Sequence, residues 1–305
     1  MPLVIQSCCF VQRVENGCSR RFEKKIAFFK EHQNTPWSRL RYNITSANLK
    51  HHINSKALTI LDAGSGNGLE AIVLAQQGHR VVLLDYSAEM LAEARTNTQN
   101  SRLVEGIEFY EGDVCSIPQL FPKTTFDVVL CHNVLQYVDN LDTALQALSH
   151  AVKPQGFISI ICVNRYSESY RLALQELNLP AAYAALDTNV IVSKVFDVPM
   201  KAYAAEDLRA PLQKMGCSIV AQYGIRCVND YIPNNDIKND PVFFAEIEKL
   251  EYAMSDKFPY YLVARSFHIV AQKVTLPRFR DLRRRRAILS AGLALKGSRN
   301  LGRKG

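Results

Sequence analysis

No apolar run in the 305 residues approaches the length of about 18 that a membrane-spanning helix needs. There is no CxxC pair either. The eight cysteines, at 8, 9, 18, 115, 131, 162, 217 and 227, are scattered and several lie inside apolar runs. That pattern excludes a disulfide-stapled scaffold and a zinc site, and reads as reduced thiols of a cytoplasmic protein. The opening MPLVIQSCCFVQ lacks the basic n-region of a signal peptide. With 48% apolar and 22% charged residues, the chain is not built for wholesale disorder.

The formal net charge of +8 is unevenly distributed. Pro277 to Gly305 carries ten basic residues against one acidic, so the rest of the chain is close to neutral. Within the body, Arg13 to Lys56 has ten basic and three acidic residues, whereas Ala57 to Leu276 has 17 basic and 25 acidic. Two basic ends flanking an acidic block could steer a polyanion to one rim, but charge alone names no partner.

From Leu58 onward, apolar strands and amphipathic helices alternate. LTILDA, RVVLLD, IEFYEGD, FDVVLCHNV and GFISIICV read as strands; LEAIVLAQQ, AEMLAEARTNTQ and Leu141 to Ala151 read as helices. Crossover helices between apolar strands predict an α/β fold with a doubly wound, mostly parallel sheet. A late helix at Ala205 to Lys214, a strand at Cys217 to Arg226, a helix at Val242 to Tyr252 and a strand at Tyr261 to Gln272 suggest an antiparallel pair at the edge, making seven strands. The expected organisation is an N-terminal extension with helices over 1–56, a core over 57–273 with an inserted, mainly helical cap at about 164–204, and a basic tail over 274–305. The cap's Tyr166, Tyr170, Tyr183 and Phe196 could enclose a small substrate, with Trp37 and Tyr42 of the extension also available to close a pocket.

Asp62-Ala63-Gly64-Ser65-Gly66-Asn67-Gly68 sits between the first strand and the first helix, where glycines permit positive φ and close passage of backbone over a ligand. A phosphate-binding loop would need Lys-Ser or Lys-Thr after the glycines, and Gly68-Leu69-Glu70 has neither. A dinucleotide loop is nearer, because Asp85 ends the second strand where a ribose-binding acid belongs, but its third glycine comes one residue early. Asp62 before the turn would repel a pyrophosphate and attract a cationic amino group. Asp85 and Asp113 could instead cap helices or turns, and His132 could be a packing residue.

LDAGSGNG, the acidic strand end at Asp85, Gly112-Asp113-Val114 and FDVVLCHNVLQYV together resemble the successive motifs of class I S-adenosylmethionine-dependent methyltransferases, with their Rossmann-like fold. The resemblance implies S-adenosyl-L-methionine as cofactor, its methionine half over Gly64, Ser65 and Gly66 near Asp62, and its ribose on Asp85. The adenine would lie between Tyr86 and Gly112, Asp113 and Val114, with Asp113 accepting from the amino group, and His132 beside the transferring methyl.

A narrower resemblance extends from Phe28 to Lys273, through GHRV, KPQG, VNRY, GIRCVNDY, IEKLE and ARSFHIVAQK, to the bacterial tRNA 5-carboxymethoxyuridine methyltransferases. It implies methyl esterification of a wobble-base carboxylate in tRNA, with Arg41 touching the cofactor carboxylate. Ser65, Asn67 and Leu135-Gln136-Tyr137 depart from that pattern and leave the acceptor open. A carboxylate acceptor arrives ionised and needs an anchor rather than a base; Arg226, backed by Asn229 and Tyr231, fits that role, with Arg165 second. An alcohol or amine acceptor would instead require a base, for which His132 is the candidate. Acceptor classes are therefore tRNA or a small-molecule acid or alcohol, with no membrane partner; a non-catalytic RNA-binding protein of the same fold is the remaining alternative.

Overall fold

Five strands form the parallel part of the sheet: β1 (Thr59–Ala63), β2 (Arg80–Asp85), β3 (Ile107–Glu111), β4 (Phe126–His132) and β5 (Val152–Val163). The computed structural model describes residues 33, 35–53, 57–101, 105–123, 126–193 and 198–274. β2 and β4 are buried almost continuously because helices cover both sheet faces, which is why they read as unbroken apolar runs rather than alternating ones. All contacts among these five strands are parallel.

Helices enter the layers at residues chosen for capping. α1 (Pro36–Lys50) starts on a proline, whose missing N–H costs nothing there. α2 (Leu69–Gln76) leaves the glycine turn at Gly68, φ 76°. Ser87 accepts from Met90 N at the start of α3 (Ala88–Asn100), and Asn140 from Thr143 N at the start of α4 (Leu141–Ala151). Asp85 is therefore not the cap of the helix that follows it.

Beyond the core, α5 (Arg165–Leu174) and α6 (Leu179–Ala184) belong to the cap, followed by the hairpin partners β6 (Val190–Val192) and β7 (Pro199–Lys201). The cap was expected to be mainly helical. Its Val-Ile-Val run favours a strand, and Ile191 and Met200 pack with Val163, Ala202 and Tyr137 into a small separate core. α7 (Ala205–Lys214), β8 (Cys217–Ile225), α8 (Pro241–Ser255) and β9 (Ser266–Lys273) complete the order.

The seven strands run β3-β2-β1-β4-β5-β9-β8. β9 is antiparallel to both β5 and β8, so β8 points the same way as β5 and ends on the edge that carries the glycine loop. That topology brings Arg226 to the sheet edge that carries the glycine turn. Tyr261 to Ala264, expected as the start of the last strand, lie outside it: Tyr260–Val263 make a 3-10 turn. Their carbonyls go to side chains instead of a ladder, since Asn164 Nδ2 donates to Leu262 O and Ala264 O and the Tyr231 hydroxyl donates to Val263 O.

The chain divides into two units, residues 1–273 and 274–305. The expectations for the extreme N-terminal extension, Phe196 and the arginine-rich tail fall outside the described residues. Among those described, no helix is long and apolar enough to cross a membrane, and no group of three or more His, Cys, Asp or Glu could hold a metal ion.

Candidate active site

The glycine turn lies at the carboxyl end of β1, beside the point where strand order reverses between β1 and β4. Ligands bind in this crevice in open α/β sheets. Gly64 and Gly66 take φ of 82° and 54°. A Cβ on Gly64 would lie 2.1 Å from Val134 Cγ2, whereas one on Gly66 would meet nothing within 4 Å. The turn is therefore closed on its β4 side and open at Gly66, as a ligand cradle requires.

Asp85 organises the next segment. Its Oδ2 accepts from Gly66 N at 2.8 Å and its Oδ1 from Ser87 N at 3.0 Å, while Gly112 N donates to Asp85 O at 2.9 Å. Gly66, Asp85 and Gly112 thus meet at adjoining strand ends. Burial raises the Asp85 carboxyl, and the backbone donors of Ser87, Gly66 and Tyr86 oppose that rise. Tyr86 is 41% exposed. Asp113 caps the short turn at Val114 by accepting from Cys115 N with Oδ1, leaving Oδ2 buried without a hydrogen-bond partner. A buried lone acceptor suits an exocyclic amino group, and Ser65 Oγ is buried without a partner at the other end of the cradle. Asn67 points elsewhere: its side-chain amide exchanges hydrogen bonds with that of Gln33.

Two acids, Asp62 and Glu70, and the Arg41 guanidinium gather beside the glycine turn. Burial, then the nearby charges of Glu70 and Asp85, push Asp62 well above its ordinary 3.8. Burial would also raise Glu70, but His132 and Arg41 hold its carboxyl down to about 2. Arg41 Nη1 lies 3.4 Å from Glu70 Oε1, and its guanidinium stacks 4.0 Å from the Tyr42 ring. Glu70 is a functional candidate that sequence reading missed; its one signal was an acid in the first turn of a helix, an ordinary capping preference.

His132 is 8% exposed and sits inside this network. Its Nδ1 is 2.5 Å from Glu70 Oε2 and, facing an ionised carboxylate, donates to it. Nε2 is 2.8 Å from Ser159 Oγ, which lies 2.8 Å from His268 Nε2. Both ring nitrogens are engaged by the protein, so this arrangement does not present His132 as a base to an acceptor.

Arg226 follows β8 with φ 60°. Its Nη2 lies 3.2 Å from Asp230 Oδ2, but this is no exposed surface pair: the Arg226 side chain is only 15% exposed and its Nε is buried without a partner. Burial lowers its pKa; Asp230 opposes that, while Arg265 and Arg41 push further down. The Tyr231 hydroxyl is occupied by Val263 O, and its ring lies 6.1 Å from Tyr170 of the cap. Arg165 pairs with Asp207 at 3.1 Å. Tyr166, Tyr170 and Tyr183 are exposed.

Residues 61–160 match the family described as methyltransferase domain. Over 219 residues the chain is 25% identical to the tRNA 5-carboxymethoxyuridine methyltransferase of Escherichia coli K12, covering 71% of this chain and 80% of that protein. A ubiquinone biosynthesis O-methyltransferase of Serratia proteamaculans is 32% identical over 116 residues, 38% of this chain and 47% of that one. Among solved structures, a putative S-adenosylmethionine-dependent methyltransferase from Listeria monocytogenes superposes with a TM-score of 0.54 at 17% identity, covering 77% of this chain and 99% of that one. The Burkholderia thailandensis 1,6-didemethyltoxoflavin-N1-methyltransferase gives 0.52 at 15% identity, covering 85% and 92%. At these identities the structures speak for the fold alone. A sheet of this order is the fold of the class I S-adenosylmethionine-dependent methyltransferases, and with a methyltransferase domain matched across 61–160 the activity it supports is methyl transfer from S-adenosylmethionine.

A pH prediction follows from Asp62. An acid raised above its ordinary 3.8 keeps its proton when folded at pH values where the unfolded chain has lost it. Its contribution to stability is full below that ordinary value and disappears as pH climbs through the raised one. Cofactor-free Asp62→Asn should therefore lose less stability than wild type as pH rises from about 4 to about 8. Thermal unfolding across that range checks it; parallel curves would remove Asp62 as the source.

Proposed function

We propose that the protein methylates the carboxylate of a small organic acid, with Arg226 anchoring the acceptor. The observation that carries this reading is a buried guanidinium just past the end of β8 with Nε unpartnered and, among the described residues, one carboxylate, Asp230, at hydrogen-bond distance. A second anion is the natural complement of such a group.

In this reading Gly64, Ser65 and Gly66 cradle the methionine half of S-adenosylmethionine, with Asp62 facing its amino group and Arg41 its carboxylate. Asp85 accepts from the ribose hydroxyls beside Tyr86, and Gly112, Asp113 and Val114 hold the adenine, with Asp113 Oδ2 accepting from the amino group. When bound, the cofactor supplies an electrophilic sulfonium methyl. The protein then has to orient the acceptor in line and exclude water. An ionised carboxylate has no proton to lose, in keeping with an imidazole at His132 already tied to Glu70 and Ser159. Glu70 keeps Arg41 and His132 in register with the glycine turn.

The second reading, the carboxylate of a carboxymethoxyuridine wobble base in tRNA, is favoured by one observation. The similarity to the Escherichia coli enzyme spans 219 residues and so reaches well beyond the matched domain. The two share one chemistry and differ in what bears the acid. Transfer of radiolabelled methyl into the organic-acid fraction and the total RNA of a cell extract separates them. Label in the acid fraction supports the small-molecule reading. Label confined to RNA, with tRNA affinity falling steeply between about 50 and 200 mM salt, supports the other. Label in neither would refute both.

A further inference from the structure

We infer that Glu251 is a positioning residue for the acceptor: one buried carboxylate on α8 shapes the loop after β8 and so aims Arg226. The inference rests on the anchoring role proposed for Arg226. Glu251 has no exposed surface. Its Oε2 accepts from Cys227 N at 2.5 Å, and its Oε1 accepts from Val228 N at 3.0 Å and Asn229 N at 2.8 Å. Three successive backbone donors converging on one carboxylate make an anion nest, here filled by the protein's own side chain.

The loop needs such a fixture. Arg226 has a Cβ yet takes φ 60°, a left-handed conformation that a non-glycine residue leaves readily unless its neighbours hold it. α8 grips the chain on both sides. One turn beyond Glu251, Ser255 Oγ donates to Gly224 O at 2.7 Å, and the Arg226 carbonyl itself accepts from Arg265 N at 3.0 Å. Asn48 of α1 lies 3.2 Å from Ser255 Oγ, and Asn43 Nδ2 lies 2.6 Å from Glu248 Oε1. The helix that fixes the anchor is thus tied to the helix that carries Arg41. Elsewhere on α8, Glu246 is exposed and Glu248 half-buried, so the complete burial of Glu251 is specific to its place under the loop.

Glu251→Gln keeps the shape but turns an NH2 group toward backbone donors, so at least one of the three bonds is lost. Acceptor is supplied as serial dilutions of the cell extract's organic-acid fraction or its total RNA, whichever takes label from wild type. With Glu251→Gln, the amount giving half-maximal transfer should rise by about tenfold or more while the maximal rate and the calorimetric affinity for S-adenosylmethionine stay within about threefold. Hydrogen exchange at the amides of 227–229 should quicken. Glu251→Asp, which keeps the charge on a shorter arm, should recover part of the loss, and it carries the same measurements if the glutamine variant does not fold. In an Arg226→Ala background, Glu251→Gln should add little. Unchanged acceptor dependence in Glu251→Gln, or equal loss of acceptor and cofactor binding, would overturn the inference alone. Unchanged transfer by Arg226→Ala would overturn the anchor reading, and the inference with it.

Discussion

Arg226→Ala should cut acceptor use by about 2 to 5 kcal/mol in kcat/KM, the usual consequence of removing one side of a buried charge pair. Cofactor affinity should stay nearly constant. The substitution adds no backbone strain, because alanine and arginine both carry the Cβ that makes φ 60° unfavourable. Asp230 would keep the Asn229 amide, which donates to its Oδ1 at 2.9 Å, and Arg265, whose Nε is 3.8 Å away, but would lose its nearest cation, so some loss of stability is also expected. Arg226→Lys separates charge from geometry: lysine restores a cation but lacks the planar fork that holds a carboxylate through two N–H groups, so it should recover only part of the activity. Steady-state kinetics together with cofactor titration distinguish these outcomes, and full acceptor use by Arg226→Ala would remove the anchor.

Asp85→Ala should weaken S-adenosylmethionine binding by about 1.5 to 3 kcal/mol through loss of a charged acceptor for the ribose hydroxyls. The carboxylate also receives Gly66 N and Ser87 N, so its removal loosens the glycine turn as well as the ribose contact. Asp85→Asn retains an acceptor at one oxygen and should fall between. Calorimetry on the three proteins decides; equal affinities would detach Asp85 from the cofactor.

Much of this architecture can be read from local pattern. Strands buried on both faces are apolar throughout, and the glycine turn followed by Asp85 at the next strand end marks the cofactor edge before any coordinate is known. The position of β9 between β5 and β8 is not encoded that way, since the mainly apolar stretch 266–271, with Ser266 and His268 in it, would suit an edge or an interior place equally. Long-range pairing also hides charge. Glu70 is an ordinary first-turn acid until His132, 62 residues later, is brought against it. Glu251 likewise resembles any acid on an amphipathic helix until the loop 227–229 turns three N–H groups onto it. His132 shows the same limit. A histidine at the end of β4 suits a base for an alcohol or a packing residue equally, and only the spatial order of strands and helices brings its nitrogens against Glu70 and Ser159.

The carboxylate acceptor at Arg226 is tested most directly by the chemical nature of the transferred methyl group. In single-turnover reactions with radiolabelled S-adenosylmethionine, wild-type product treated with mild alkali should release its label as methanol, because esters hydrolyse and methyl ethers and N-methyl groups do not. Arg226→Ala should form little of that labile product while still binding cofactor. An alkali-stable methyl group on the wild-type product would contradict the account.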